Sequence, residues 1–270
     1  DCGETDGTSP VNIVIPPGAP QGLTASACTF YGFTVSWQSV TGATEYEIEI
    51  TKTKEENGDP DFSSSIPNYN PAKTSSNSLI VTNLDAGTTY FFRVTSTNDG
   101  GKSLHSNTGN KTTIPLAPLI NPVTDKDQDS FMMNWAHAAG ATDYEVDVSL
   151  SENNFSPNLP LYDSRQTDDN FLEVTGLSPG NDYKFRVRAI NDCGTSLSSD
   201  TNEDCAKPGT PTGLTTSDIT PESIKFSWQE ISSADHYLVN VSTSESMSPT
   251  LPDYTNKQVS GETITITGLS

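Results

Sequence analysis

The chain is poor in positive charge. Over 270 residues, 14 lysines and arginines stand against 35 aspartates and glutamates, a net charge of −21. A binder of phosphate backbones needs a basic face, so nucleic acid is excluded as a partner. Long apolar runs are missing too: none approaches the ~18 residues of a membrane span. No basic or apolar leader stands at Asp1-Cys2-Gly3-Glu4, so an export signal is expected to be absent or already removed. Hydrophobic residues make up 32%, low for one large core but workable for small two-layer domains that bury alternate residues. Catalytic signatures are lacking as well. His105, His137 and His236 form no cluster, and there is no Gly-x-Ser-x-Gly, phosphate-cradling glycine loop or His-Glu-x-x-His. No pair stands out among the carboxylates. The segment is expected to be non-catalytic and to need no cofactor.

What is present is a repeat of about 93 residues. Trp37, Trp135 and Trp228 are spaced by 98 and 93, and Tyr46, Tyr144 and Tyr237 each follow their Trp by nine. Leu84, Leu177 and Leu269 recur in the same register, and Phe62/Tyr69, Phe155/Tyr162 and Met247/Tyr254 keep a gap of seven. The first repeat is longer by about five residues around Lys54–Gly58. Within each repeat the period is two: Phe33-Thr-Val35-Ser-Trp37, Tyr46-Glu-Ile48-Glu-Ile50 and Tyr183-Lys-Phe185-Arg-Val187 alternate apolar with polar. Such alternation makes half-buried strands with one wet face. Glycine and proline punctuate at roughly 8–12 residue intervals, and helical periodicity is absent. Seven short strands per repeat predict an all-β chain of tandem antiparallel β-sandwiches.

These residues carry a resemblance. Trp135, Tyr144, the run Gly176 to Asn191, Gly194 and Ser196 resemble a fibronectin type III module. Leu84, Gly87, Tyr90, Phe92, Val94, Asn98, Gly101 and Ser103 match it again in the first repeat. The resemblance implies an immunoglobulin-like sandwich with the Trp in its core and a Tyr corner before the sixth strand. Ser106 to Pro115 and Pro157 to Tyr162 are similar to modules of bacterial secreted and cell-surface proteins. Arg-Gly-Asp, which some modules of the family use for cell attachment, is absent.

The chain is expected to be cut out of phase with its repeats: 1–16 as the last loop and strand (Val11–Ile15) of a preceding repeat, 17–115 and 116–208 as whole repeats, and 209–270 as a repeat lacking its last two strands. A sandwich without those strands exposes a central sheet edge. Three explanations compete: a stretch of a longer tandem array, completion by strand donation from a copy, or a genuinely truncated repeat. The first is the expectation adopted.

Four cysteines allow three pairings. Strand order puts Cys28 and Cys193 where they can meet across the junction of the first two repeats. Cys205 would then find a partner in a loop of the third repeat, and Cys2 would face an earlier domain. A local Cys193–Cys205 bridge is the alternative, and Cys28 as a free buried thiol is another. No Cys-x-x-Cys exists for zinc. Asp125, Asp127 and Asp129 have the odd-position acids of a calcium loop, but the glycine of position six and the glutamate of position twelve are missing. A solvated acidic turn is the default there, with calcium as the candidate ligand, and Glu55 to Asp61 reads as a second wet acidic loop. Asn110, Asn154 and Asn240 fit the glycosylation acceptor pattern.

The leading functional expectation is a secreted or cell-surface structural or adhesive segment of a fibre or tandem-repeat protein. Its linkers, Ile114 to Pro118 and Lys207 to Pro211, are too short and proline-bearing to act as free tethers. Expected partners are neighbouring repeats or copies of itself, with a protein or glycan ligand open. A spacer in a secreted multidomain enzyme and a receptor ectodomain are the alternatives; Phe30 and Tyr31 are the exposed aromatic candidates for the latter. Fold analogy does not separate them.

Overall fold

The computed structural model describes residues 13–269. The first repeat runs β1 (Thr24–Thr29), β2 (Gly32–Ser36), β3 (Glu45–Thr51), β4 (Ala72–Thr74), β5 (Ser78–Val81), β6 (Thr89–Asn98), β7 (Gly101–Lys102) and β8 (Gly109–Thr112). Strands β1-β2-β5 form one sheet, and β4-β3-β6 with β7 and β8 form the other. Every pairing is antiparallel. The register sets Ile48 opposite Val94 and Ile50 opposite Phe92. Their inward side chains close on Phe33, Val35 and Val81 of the other sheet in one buried cluster. The five-residue insertion is a small loop closed by a bridge between Lys54 and Pro60.

The second repeat repeats the plan with β9 (Ser130–Asn134), β10 (Asp143–Leu150), β11 (Arg165–Thr167), β12 (Phe171–Thr175), β13 (Asp182–Asn191), β14 (Gly194–Thr195) and β15 (Asn202–Cys205). Its first strand shrinks to two bridges, Ile120 with Trp135 and Thr124 with Met132. Trp135, Phe131, Met133 and Val146 anchor its core.

The landmark spacings have physical causes. Each Trp meets the Tyr nine residues on edge-to-face, at 5.2, 5.4 and 5.2 Å, within the favourable range for aromatic pairs. The hydroxyl of that Tyr accepts the amide of Val40, Ala138 or Ile231, so it closes the loop between them. The corner tyrosines do the same: Tyr90 accepts from Asp85 N and Tyr183 from Ser178 N, both at 2.8 Å. Tyr69, Tyr162 and Tyr254 accept from Thr82, Thr175 and Thr267. Three tyrosines in each of the first two repeats, and two in the third, thus satisfy backbone amides.

The expected seventh strand is divided. Ser103 and Ser106 interrupt it between β7 and β8, their hydroxyls accepting the β6 amides of Ser96 and Val94. Ser196 and Ser199 do so for Ala189 and Val187 of β13. Between the two serines the chain bulges outward and exposes Leu104 and Leu197, 83% and 71% accessible.

The third repeat comprises β16 (Thr215–Ser217), β17 (Ser223–Ser227), β18 (Tyr237–Val239), β19 (Lys257–Val259) and β20 (Thr263–Thr267). Where β10 is flanked by β11 and by β13, β18 pairs among the described residues only with β19. Phe226, Trp228, Tyr237 and Val239 line a cleft of about 390 Å³ beside that open edge. At the other end, the described part of the expected strand Val11–Ile15, residues 13–15, belongs to no strand. Those residues meet no ladder partner among the described residues, and the remainder of that segment, with Cys2, lies outside them.

Candidate functional site at the repeat junctions

The chemistry of the chain concentrates where repeats meet. Cys28 lies in β1 where its ladder with β2 slips register between Ser26 and Thr29. Cys193 lies in the turn between β13 and β14. The two form a disulfide with Cα atoms 5.5 Å apart across a separation of 165 residues. The alternative local bridge between Cys193 and Cys205 is therefore excluded, as is a free Cys28 thiol. Cys205 is exposed and free of a disulfide partner among the described residues.

Around the disulfide the two repeats touch backbone to backbone. A Cβ on Gly87 would overlap the carbonyl oxygen of Ala139, and one on Gly140 would overlap that of Gly87. Both glycines also have positive φ, +57° and +71°, where a side chain is strained. Lys111 of β8 reaches Asp192 of the next repeat at 2.8 Å, its side chain only 17% exposed. The linker is held too: Ile114 N donates to Thr29 O, and Gly87 N to Ile114 O.

The second junction follows the first without its disulfide. Lys207 N donates to Asp127 O and Gly180 N to Lys207 O, repeating the linker bonds one repeat on. Gly180 packs against Ser233, in the place of Gly140. Lys126 stands where the first repeat has Cys28 and pairs with Asp204. Gln128 Nε2 adds a bond to Thr210 Oγ1 at 2.9 Å.

Asp125, Asp127 and Asp129 do not converge. Asp127 accepts its neighbour's amide from Gln128, the Asp127 and Asp129 carbonyls accept from Lys207 and Leu177, and Asp125 adopts a left-handed turn at φ +48°. Among the described residues, no three His, Cys, Asp or Glu side chains are placed to hold a metal ion. The acids at 125–129 shape the junction loop instead.

The wet face of the larger sheet carries an ionic ladder. Arg186 Nε and Arg188 Nη1 both donate to Asp147 Oδ2 at 2.8 Å, and Asp147 is 2% exposed. Burial pushes its carboxyl up, but Arg186, the Ser164 amide and Arg188 together more than offset this and hold it below the usual carboxylate range. Burial pulls Arg188 down, and Asp147 with Glu145 turns the balance upward. In the first repeat Arg93 bonds Glu49, and Lys102 and Lys73 both reach Glu47. Glu47 likewise lies below its ordinary value: burial raises it, and the two lysines outweigh that. Phe62 and Phe155, the residues seven before Tyr69 and Tyr162, lie under the guanidinium groups of Arg93 and Arg186, 4.2 Å from ring centre in both repeats.

No helix is long and apolar enough to cross a membrane among the described residues. A fibronectin type III domain model matches residues 18–111 and 117–203. Human usherin is 27% identical over 238 residues, which cover 82% of this chain and 4% of usherin. Human fibronectin type III domain-containing protein 7 is 27% identical over 214 residues, 79% of this chain and 27% of that protein. The chain thus spans a minor part of the length of these relatives. Among solved structures, a two-domain fibronectin type III segment of chicken tenascin aligns over 69% of this chain and 99% of its own, with TM-score 0.39 and 19% identity.

Proposed function

Because the chain belongs to the fibronectin type III family, we propose that it serves as a non-catalytic, extracellular structural or adhesive segment of a longer tandem array. The observation that carries this reading is the junction of the first two repeats. A disulfide, an ion pair and two apposed glycine backbones join repeats that a flexible linker would leave independent. A disulfide persists in oxidising surroundings, which supports placement outside the cell or at its surface. The high negative charge keeps such an array soluble and hinders its lateral association.

The test is peptide mapping of the natural chain under non-reducing conditions, after surface biotinylation of intact cells. The expected result is a biotinylated chain several times heavier than 28.9 kDa, with a cross-linked peptide containing Cys28 and Cys193. A chain near that mass, unlabelled and with both thiols free, overturns the proposal.

A further inference from the structure

Asn191 ends β13 and is buried at 7% exposure. Its Nδ2 donates one hydrogen to Thr113 O of the preceding repeat at 2.9 Å and the other to Gly140 O of its own repeat at 3.1 Å. Its Oδ1 accepts from the amides of Cys193 and Gly194. Both donors and the acceptor of the carboxamide are thus used. The same arrangement recurs 93 residues earlier. Asn98 Nδ2 donates to Ile15 O at 2.9 Å and to Gly42 O at 3.0 Å, while Oδ1 accepts from Gly100 N. The outside acceptors correspond: Ile15 precedes Trp37, and Thr113 precedes Trp135, by the same 22 residues (37 − 15 and 135 − 113). Gly42 and Gly140 each stand four before their core Tyr, at φ +80° and +71°.

The two sites differ in the residue that follows the asparagine by two. Gly100 stands where the second repeat has Cys193, and a Cβ there would overlap the carbonyl oxygen of Val14. The amide contacts therefore form with a disulfide at one junction and without one at the other.

We propose that the side-chain amides of Asn98 and Asn191 set the orientation of each repeat on the chain entering it, and that the Cys28–Cys193 disulfide locks a geometry the asparagine has already selected. This rests on the tandem-array reading and adds its mechanism. The carboxamide fixes three points at once: a carbonyl leaving the previous repeat, a carbonyl of the loop between the Trp and Tyr strands, and the turn after its own strand. Because it reads main-chain carbonyls, it accepts any preceding repeat that places a carbonyl 22 residues before the Trp. Ala206 holds that place before Trp228, so successive repeats follow one rotation and the array propagates as a rod of constant pitch.

The test is measurement of residual dipolar couplings on the full chain, compared between the first and second repeats. Asn191→Asp is the informative variant, since it keeps an acceptor for the turn amides of Cys193 and Gly194 and loses both hydrogens of the clamp. In the wild type the two repeats are expected to share one alignment tensor. Cys28→Ser/Cys193→Ser is expected to keep it, and adding Asn191→Asp to that background is expected to abolish it, with each repeat still folded by its own couplings. A shared tensor that survives the triple variant overturns the clamp and leaves the rod standing. Loss of the shared tensor on removing the disulfide alone also overturns it. Two independent tensors in the wild type overturn both the clamp and the array reading on which it rests.

Discussion

Asp147 and Arg186 stand directly opposite each other in the β10–β13 ladder, and the carboxylate of the first is almost wholly buried beneath the guanidinium of the second. Arg188, two residues along the same strand, donates to the same Oδ2. Asn at 147 keeps the shape and removes the charge that both arginines face. Breaking a fully buried pair costs about 3–5 kcal/mol; with both arginines partly in water, Asp147→Asn is expected to destabilise the second repeat by about 2 kcal/mol. Hydrogen exchange of the β10 and β13 amides measures it, and unchanged protection refutes it.

The same carboxylate gives a pH dependence. Its folded pKa lies below the ordinary 3.8, so its contribution is complete above that value and is lost as pH falls through the lowered one. Glu47 acts in the same direction from its ordinary 4.5. The wild type is therefore expected to lose stability on acidification below about pH 4. Urea titrations between pH 2.5 and 6 should show Asp147→Asn with a shallower acid limb, and parallel limbs would count against this assignment.

The corner tyrosines should behave as a matched pair. Tyr90→Phe and Tyr183→Phe each leave a part-buried amide, that of Asp85 or Ser178, without its acceptor. Each is expected to cost its own repeat about 1–2 kcal/mol. Chemical denaturation followed residue by residue would reveal a loss confined to the other repeat, which the geometry does not allow.

Gly87→Ala tests the junction itself. The added methyl meets the Ala139 carbonyl in a backbone conformation that favours glycine, so in the Cys28→Ser/Cys193→Ser background, where no disulfide tethers them, the repeats are expected to part while each remains folded. Lys111, shielded at the contact, then becomes accessible to trypsin. Cleavage after Lys111 is expected to quicken at least about tenfold, the equivalent of ~1.4 kcal/mol in the opening equilibrium. Equal cleavage with and without the substitution would mean that the glycine contact does not hold the repeats together.

Much of the fold was legible because its signals are local or periodic. Alternation in Tyr183 to Val187 marks a strand whichever partner it finds, and the Trp37–Tyr46 spacing survives in each repeat because one aromatic pair requires it. The family followed from the same residues. Cys28 and Cys193 could be brought to one junction from strand order, but choosing that pairing over the local Cys193–Cys205 alternative needed the placement of both residues in space, with Cα atoms 5.5 Å apart. Asn191 was visible only as a repeat-matched polar residue; that its two hydrogens reach different repeats depends on where chain segments cross in space. Asp125, Asp127 and Asp129 read from the sequence as a solvated acidic turn by default, with calcium as the candidate ligand. They have the odd-position acids of a calcium loop but not its glycine or glutamate, and a left-handed Asp125 with backbone bonds from Leu177 and Lys207 holds this turn so that its carboxylates do not converge.

The serine-held bulge beside Leu104 and Leu197 governs how such molecules behave in a crowd. Along the flank of each large sheet, serine hydroxyls hold β6 and β13 amides that the interrupted outer segments leave unpaired, and those outermost segments are only two to four residues long. Lateral zippering into cross-β fibrils is thereby denied its template. Copies packed side by side on this flank meet short, interrupted segments with no continuous strand to extend.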